Sequence, residues 1–355
     1  MNKYATILAG GGGTRFWPLS RQSMPKQLLN ISGNDIMLND TIERFGEVIP
    51  PGQTVIVTNQ AQAPKLEEMM HASVRKENIL CEPVSRNTAA SILYAAMHIE
   101  HHHGESVMVV LPSDHYITDL EPFRRTLEQA CEVAEETRKI VTIGIKPTFP
   151  STGYGYIAYD PKDGSDAHEV SEFVEKPNYQ KAQQYVQAGT YLWNSGIFVW
   201  TTSVILESFR RYLPRLYNTM KPLQDALGTK RAAEALQTVY PQLQSISIDY
   251  GILERSDEVL VVPADFGWND IGTWDALGAI FPPDEQGNIV KCNHVGIDTR
   301  NSIIYSNCRL ITTIGIEDLI IADTDDALLI CPKDNAQAVK EMVELLKEKG
   351  MDEYI

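Results

Sequence analysis

Between Leu8 and Leu29 the chain reads LAGGGGTRFWPLSRQSMPKQLL, with four consecutive glycines behind an apolar run and cations after them. Those residue types suit anion binding. Tyr4 to Ala9 is short and apolar, as expected of a buried strand, and Gly10, Gly11, Gly12 and Gly13 free the backbone to turn its N–H groups toward a phosphate. Leu8, Ala9 and Thr14 flank that loop, and Arg15 and Lys26 would add fixed positive charge. A tight turn by itself needs only about one or two glycines. The two best-known glycine-loop patterns fail here. GxGxxG would need a glycine where Arg15 or Phe16 sits, and GxxxxGK[ST] finds no lysine after a second glycine. Neither a dinucleotide fold nor a P-loop is supported, so a nicotinamide dehydrogenase is disfavoured.

The string GGGGTRFWPLSRQSMPKQ resembles the signature of the sugar-nucleotide pyrophosphorylases, and its RFWPLSR core resembles the mannose-1-phosphate guanylyltransferase branch. The resemblance recurs in EPVSRNTA (Glu82 to Ala89), LPSDH (Leu111 to His115), TGYGYI (Thr152 to Ile157), FVEKP (Phe173 to Pro177), WNSGIF (Trp193 to Phe198) and WNDIGTW (Trp268 to Trp274). Seven blocks in family order span about three quarters of the chain, which chance similarity does not produce.

The chemistry this resemblance implies is attack by a phosphate oxygen of a sugar 1-phosphate on the α-phosphorus of a nucleoside triphosphate, with pyrophosphate leaving. A phosphomonoester is already largely ionised at neutral pH, its second pKa being about 6, so no strong general base is required. In-line positioning and charge neutralisation are required. Arg15 and Lys26 would act on the triphosphate, and the resemblance gives Lys176 the phosphate of the sugar 1-phosphate. Magnesium binds carboxylate oxygens together with substrate phosphates and water, so one or two aspartates suffice. Asp114, behind the apolar run Val107 to Leu111, and Asp270 in WNDIGTW are the candidates, brought together by the resemblance. Singly, an aspartate after a strand is an ordinary turn or cap residue.

By the same resemblance, Gly153, Glu175 and Asn194 would meet the sugar hydroxyls, with Asp249 in support. Glu82, Arg86, Asn87 and Thr88 would read an edge of guanine, with Pro112 and Ser113 also on the nucleotide side. Asn194 could also serve as a turn residue, and Asn87 as a helix cap. The expected ligands are therefore GTP, mannose 1-phosphate, GDP-mannose and pyrophosphate with Mg²⁺, and a homodimer is expected. Within the class the alternative is glucose 1-phosphate with dTTP or UTP; outside it, a catalytically silent sugar-nucleotide sensor, which would not need both aspartates. The chain ends without room for the C-terminal isomerase domain of longer bifunctional relatives, which sets the expectation of a single activity.

Other features carry less. His98 and His102 lie one helical turn apart, but no carboxylate or cysteine framework accompanies them, so a solvated helix end is expected. Asp325 and Asp326 read as a charged turn. With 355 residues and 43% hydrophobic content the chain can bury a full core. Its net charge of −16 disfavours a nucleic-acid surface and leaves phosphate binding to a few focal cations. There is no run of about 18 apolar residues that would cross a membrane. The five cysteines are scattered, and no long apolar leader opens the chain; a reducing cytoplasm fits.

Positioning these residues calls for an α/β fold with a Rossmann-like, mixed but mainly parallel sheet. Apolar runs at Tyr4–Ala9, Thr54–Thr58, Asn78–Cys81, Val107–Leu111 and Ile140–Ile145 alternate with helical periodicity at Asp40–Glu47, Pro64–Val74, Thr88–His102 and Pro122–Arg138. Both Gly10–Gly13 and Pro112–Asp114 fall at the carboxyl ends of strands, where ligands of such sheets collect. From Thr152 to Phe198 the pattern turns antiparallel, as for a substrate-binding lobe, and helices return at Thr201–Leu213 and Lys230–Val239. The nucleotidyltransferase domain is expected to be glycosyltransferase-A-like and to span 1–283. After Pro282 and Pro283, short β-branched runs predict a small β domain over 284–355, closed by an amphipathic helix at Asn335–Lys349. The resemblance implies that this domain is a short left-handed β-helix.

Overall fold

The computed structural model describes residues 1–161 and 165–355. The three others fall inside the lobe expected over Thr152–Phe198 and lie outside the described residues. Strands β1 (Asn2–Leu8), β2 (Thr54–Asn59), β3 (Ile79–Glu82) and β4 (Ser106–Pro112) are parallel and ordered β3-β2-β1-β4. Alternate residues feed two cores. Tyr4, Val55, Val57, Met108 and Val110 pack to one side, and Ala5, Ile7, Ile56, Val107 and Val109 to the other. Helices must therefore cover both faces. Helix α1 (Met37–Arg44), α2 (Ala63–Met69), α3 (Asn87–His103) and α4 (Leu120–Thr137) alternate with the strands. The buried apolar side chains of α4, and those of α1 apart from Met37, belong to one core, and those of α3 to the other.

Seven strands follow: β5 (Tyr116–Ile117), β6 (Ile140–Ile145), β7 (Tyr156–Tyr159), β8 (His168–Val174), β9 (Tyr191–Thr201), β10 (Val259–Ala264) and β11 (Trp268–Asn269). The main sheet continues β4-β9-β6-β10-β8-β7; β8 and β9 run against the other strands. The antiparallel stretch expected as a covering lobe is thus built partly into the sheet itself. Residues of β9 pair with both β4 and β6 in mid-sheet, then with β7. Helix α5 (Tyr179–Ala188) precedes β9; α6 (Thr202–Tyr212), α7 (Pro214–Ala226), α8 (Ala232–Val239) and the single turn α9 (Ile248–Gly251) follow it. Neither α5 nor α7 has an expected helix in the sequence reading; α7 carries Pro222 in its interior, which weakens the sequence signal for a helix.

The last part of the chain is a stack of short strands, parallel except for the last, which runs antiparallel to its neighbour, as expected of a β-helix-like domain. These are β12 (Ile289–Lys291), β13 (His294–Ile297), β14 (Ile303–Ser306), β15 (Ile311–Ile314), β16 (Leu319–Asp323) and β17 (Leu328–Pro332). Ile289, Ile303 and Ile320 stand in register across β12-β14-β16, while β13 pairs in parallel with β15. The terminal helix α10 (Val339–Glu348) starts later than expected because Lys333–Ala338 winds as a 3₁₀ helix. No helix among the described residues is long and apolar enough to cross a membrane.

This coil shares a core with the segment behind the glycine loop. Phe16, Trp17, Leu29, Ile31, Ile271 and Trp274 pack with Ile303, Ile320, Val339 and Val343. Polar groups close the seam: Trp274 Nε1 donates to the Trp17 carbonyl at 3.0 Å, and Trp17 Nε1 to the Tyr354 carbonyl at 2.6 Å. Trp274→Ala should therefore cost about 3–5 kcal/mol in urea unfolding, and the wild-type chain should unfold in a single transition. Two separated transitions would mean that the two parts are held independently.

Candidate active site

The glycine loop leaves β1 with its carbonyls anchored and its amides open. Gln27 Nε2 donates to the carbonyls of Ala9 (2.8 Å) and Gly11 (3.2 Å), Thr58 Oγ1 to Ala9, Gln62 Nε2 to Gly11, and Ser20 Oγ to Gly13 (2.7 Å). Among the described residues no acceptor takes the N–H groups of Gly10 to Gly13. Turning the carbonyls inward leaves the amides for an anion. Gly13 is required by geometry: its φ is 58°, and a Cβ there would stand 2.3 Å from Lys26 Cβ.

Lys26 does not hang free in the cleft. Its side chain is 3% exposed, and Nζ donates to Asp114 Oδ2 (3.0 Å), the Asp114 carbonyl (3.0 Å) and the Asp270 carbonyl (2.9 Å). All three ammonium protons are thereby engaged. The cation expected on the triphosphate instead joins the end of β4 to the turn after β11. That turn is strained, since Ile271 is β-branched with a φ of 43° and its side chain is fully buried in the shared core. Anchoring Ile271 fixes Asp270 beside it. Burial pushes the Asp114 carboxyl toward the neutral form, but the adjacent Lys26 charge and hydrogen bond outweigh it and hold the group below the usual carboxylate range.

Asp114 and Asp270 line a cavity of about 340 Å³ together with Gly13, Thr14, Arg15 and Lys26. The hydrogen bonds from Tyr154 OH (3.0 Å) and the Gly272 amide (3.1 Å) both fall on Asp270 Oδ1. Lys26 occupies Oδ2 of Asp114. Each carboxylate thus has an oxygen outside these bonds, and two hard oxygen donors beside a phosphate cradle suit a divalent cation completed by water and phosphate.

A second cavity, about 410 Å³, adjoins the first through Asp270 and His115. It is lined by every sugar-side candidate: Gly153, Glu175, Asn194 and Asp249, with Lys176. Asn194 Nδ2 donates to Asp249 Oδ1 at 2.9 Å while its Oδ1 accepts from the Gly196 amide, so its turn role and its cavity role coexist. Burial pushes the Asp249 carboxyl up, Glu175 adds to this, and the Asn194 bond opposes it. Lys176 reaches from an exposed position with Nζ 2.7 Å from Glu175 Oε1. Gly155 lies below Glu175, where a Cβ would approach Oε2 to 2.9 Å and displace the carboxylate tip.

The base-side candidates divide. Asn87 lines the second cavity, whereas Glu82, Arg86 and Thr88 line neither. Glu82 is buried and accepts from Ser91 and Tyr240; burial pushes its carboxyl up while those bonds oppose the shift. Arg86 donates to the Pro241 carbonyl, and Thr88 Oγ1 accepts from the Ile248 amide at 2.8 Å. Asn87 lies inside α3 at φ 65°, its Oδ1 accepting from the next amide, so it is not the N-cap. Leu8 ends β1, where its carbonyl accepts from the Ser113 amide; Ser113 is buried and Pro112 faces the sugar-side cavity.

Several cleft residues were not picked out from the sequence. Trp268 Nε1 donates to His115 Nδ1 at 3.1 Å, which leaves the ring proton of neutral His115 on Nε2. Burial, with Lys26 and Arg44 adding, pushes His115 down to about 4 against the opposing pull of Asp114 and Asp270. Tyr154, Trp193 and Trp268 form an aromatic wall with centroids 5.0–5.1 Å from Tyr154. All lie inside the quoted motif blocks, where aromatic content was the available signal. The histidines of α3 form no metal cluster among the described residues.

The model of the nucleotidyl transferase family matches residues 4–287, and that of the MannoseP isomerase/GMP-like beta-helix domain matches 292–346. The xanthan biosynthesis protein XanB of Xanthomonas campestris pv. campestris is 39% identical over 98% of this chain and 74% of its own length. A mannose-1-phosphate guanylyltransferase of Escherichia coli is 38% identical over 99% of this chain and 75% of its own. Among solved structures, the mannose-1-phosphate geranyltransferase of Thermus thermophilus superposes with a TM-score of 0.88 at 36% identity, covering 98% of this chain and 100% of that one.

Lys26→Met keeps most of the side-chain volume and deletes the three bonds. It should destabilise the fold by about 3–5 kcal/mol, and adding Asp114→Asn should recover part of the loss. Additive single and double variants would show that the pair is not coupled.

Proposed function

The chain belongs to the nucleotidyl transferase family, and from that premise we infer that it is a mannose-1-phosphate guanylyltransferase. The observation that carries this reading is the adjacency of two cavities that meet at Asp270, one beneath the glycine loop and one lined by Glu175, Lys176, Asn194 and Asp249. An oxygen of mannose 1-phosphate attacks the α-phosphorus of GTP. The new P–O bond forms as the bond to the bridging oxygen of the β-phosphate breaks, and pyrophosphate leaves with that electron pair. No proton need move, because the attacking phosphate is already ionised.

Gly10 to Gly13 and Arg15 hold the triphosphate, Lys176 holds the sugar phosphate, and Glu175, Asn194 and Asp249 accept or donate to sugar hydroxyls. Nucleotidyltransferases of this kind generally use a divalent metal. Asp114 and Asp270 are the residues that would hold it, as Mg²⁺, where it would neutralise phosphoryl charge. Lys26 serves by holding both aspartates rather than by binding phosphate. Glu82 and Arg86 act beneath the base site through Tyr240 and the Pro241 carbonyl. We place the division between the two parts of the chain at 283/284; the family matches, which end at 287 and begin at 292, support a division close to that point. A cytoplasmic setting fits the odd number of unpaired cysteines.

A homodimer is supported by the outer face of the β13–β15 ribbon. Val295, Ile297, Leu310 and Ile314 share that face, with Ile314 75% exposed. A second copy, presenting the same β-branched surface, is the occupant. Light scattering should give twice the chain mass, and Ile314→Asp should return the monomer; a monomeric wild-type chain at micromolar concentration would reject the dimer.

Pyrophosphate release should be measured with Mg²⁺ for GTP, ATP, UTP and dTTP against mannose 1-phosphate and glucose 1-phosphate. Release confined largely to GTP with mannose 1-phosphate is expected. A preference for dTTP or UTP with glucose 1-phosphate would move the specificity, and silence throughout would favour a sensor.

A further inference from the structure

We propose that Lys340, on the C-terminal helix α10, is a ligand for the β- and γ-phosphates of the nucleotide and for the pyrophosphate product. The proposal rests on the transfer reading above and assigns to the β-helix-like domain a direct part in the nucleotide site. Lys340 lines the same 340 Å³ cavity as Gly13, Arg15, Asp114 and Asp270, although it lies in the part of the chain beyond the nucleotidyl transferase match.

Three observations support it. First, the three donors of Lys26 are engaged by Asp114 and the Asp270 carbonyl in the absence of nucleotide. Arg15 and Lys340 are then the cations of this cavity that are not tied to its aspartates. Second, α10 is fixed where it sits. Val339 and Val343 are buried in the core that contains Phe16 and Trp17, directly behind the glycine loop, and residue 340 lies about 100° around the helix from Val339. Third, although α10 is rich in glutamate, none of its acidic residues lines the cavity. Glu344, one turn on, stands 3.8 Å from Lys340 Nζ, a loose contact on a side chain 58% exposed. Such a pair yields readily to a polyanion, whose hydrogen bonds to an ammonium are charge-assisted. A triphosphate entering under the glycine loop would meet Arg15 from its own loop and Lys340 from the opposing helix. The leaving pyrophosphate gains charge during transfer, so a cation at that end also favours departure.

The test uses the full chain with Lys340→Ala, Lys340→Glu and Lys340→Arg. All three should melt like wild type, because the side chain is 58% exposed and its ion pair with Glu344 is a loose one. KM for GTP in the forward direction and for pyrophosphate in the reverse direction should rise about tenfold in Lys340→Ala, a loss of about 1.4 kcal/mol. The rise should be larger in Lys340→Glu and largely absent in Lys340→Arg, while KM for mannose 1-phosphate stays put. Pyrophosphate binding with Mg²⁺, followed by calorimetry, should weaken in the same order. Unchanged pyrophosphate affinity in Lys340→Glu, or an equal shift for the sugar phosphate, would overturn the proposal. Should wild type turn over no nucleotide, the transfer reading fails by itself, and the calorimetric series still decides whether Lys340 binds pyrophosphate.

Discussion

The ammonium of Lys26 is buried where a charge is costly, and three short bonds to Asp114 and Asp270 are what hold it there. That constraint organises the site. Asp114 follows β4 of the main sheet and Asp270 follows β11; the β5–β11 ladder pairs Tyr116 with Asn269 beside them but bonds neither aspartate. The lysine ties the two residues themselves together. Its charge and hydrogen bond also hold the Asp114 carboxyl below the usual carboxylate range against the effect of burial. Gly13 is part of the same device, since only a residue without Cβ lets the loop pass over the Lys26 stem.

Behind this polar clamp lies an apolar one. Ile271 occupies a left-handed backbone position that a β-branched residue adopts only under constraint, and the constraint is its burial among Phe16, Trp274 and the side chains of the C-terminal coil. The geometry of Asp270 therefore depends on packing contributed from far along the chain. The β-helix-like domain packs behind the glycine loop, closing a seam that would otherwise expose Phe16, Trp17 and Trp274.

Much of the site was legible in the sequence because its motifs are local. The glycine loop, Asp114, Lys176, Asn194 and Asp270 each sit in a short block, and the structure brings them to two adjoining cavities. Their partnerships were less legible. Lys26 meets its acceptors 88 and 244 residues away, and no periodicity reports such a contact. Gln27, Gln62 and Ser20, which anchor the loop carbonyls, have polar side chains that look like surface residues until the loop is folded over them. The parallel strands were readable from their apolar runs, but the insertion of β9 between β4 and β6 was not: a long apolar strand looks the same at the edge or the centre of a sheet. Glu82 makes the same point: its motif gives no sign that Tyr240, 158 residues on, bonds its Oε1.

The charge distribution follows from the same scarcity of cations. A chain of net charge −16 repels a nucleoside triphosphate at long range, so attraction must be local and must operate where water is partly excluded. Committing Lys26 to the aspartates leaves the phosphate cradle to open amides, which carry partial positive charge without adding to the net balance. Amides held by inward-turned carbonyls are already oriented before ligand arrives, so little reorganisation accompanies binding. The glycine loop needs a rigid floor for that reason, and the floor is built from Gln27, Gln62 and Thr58, whose side chains fix the carbonyls that decide where the amides point.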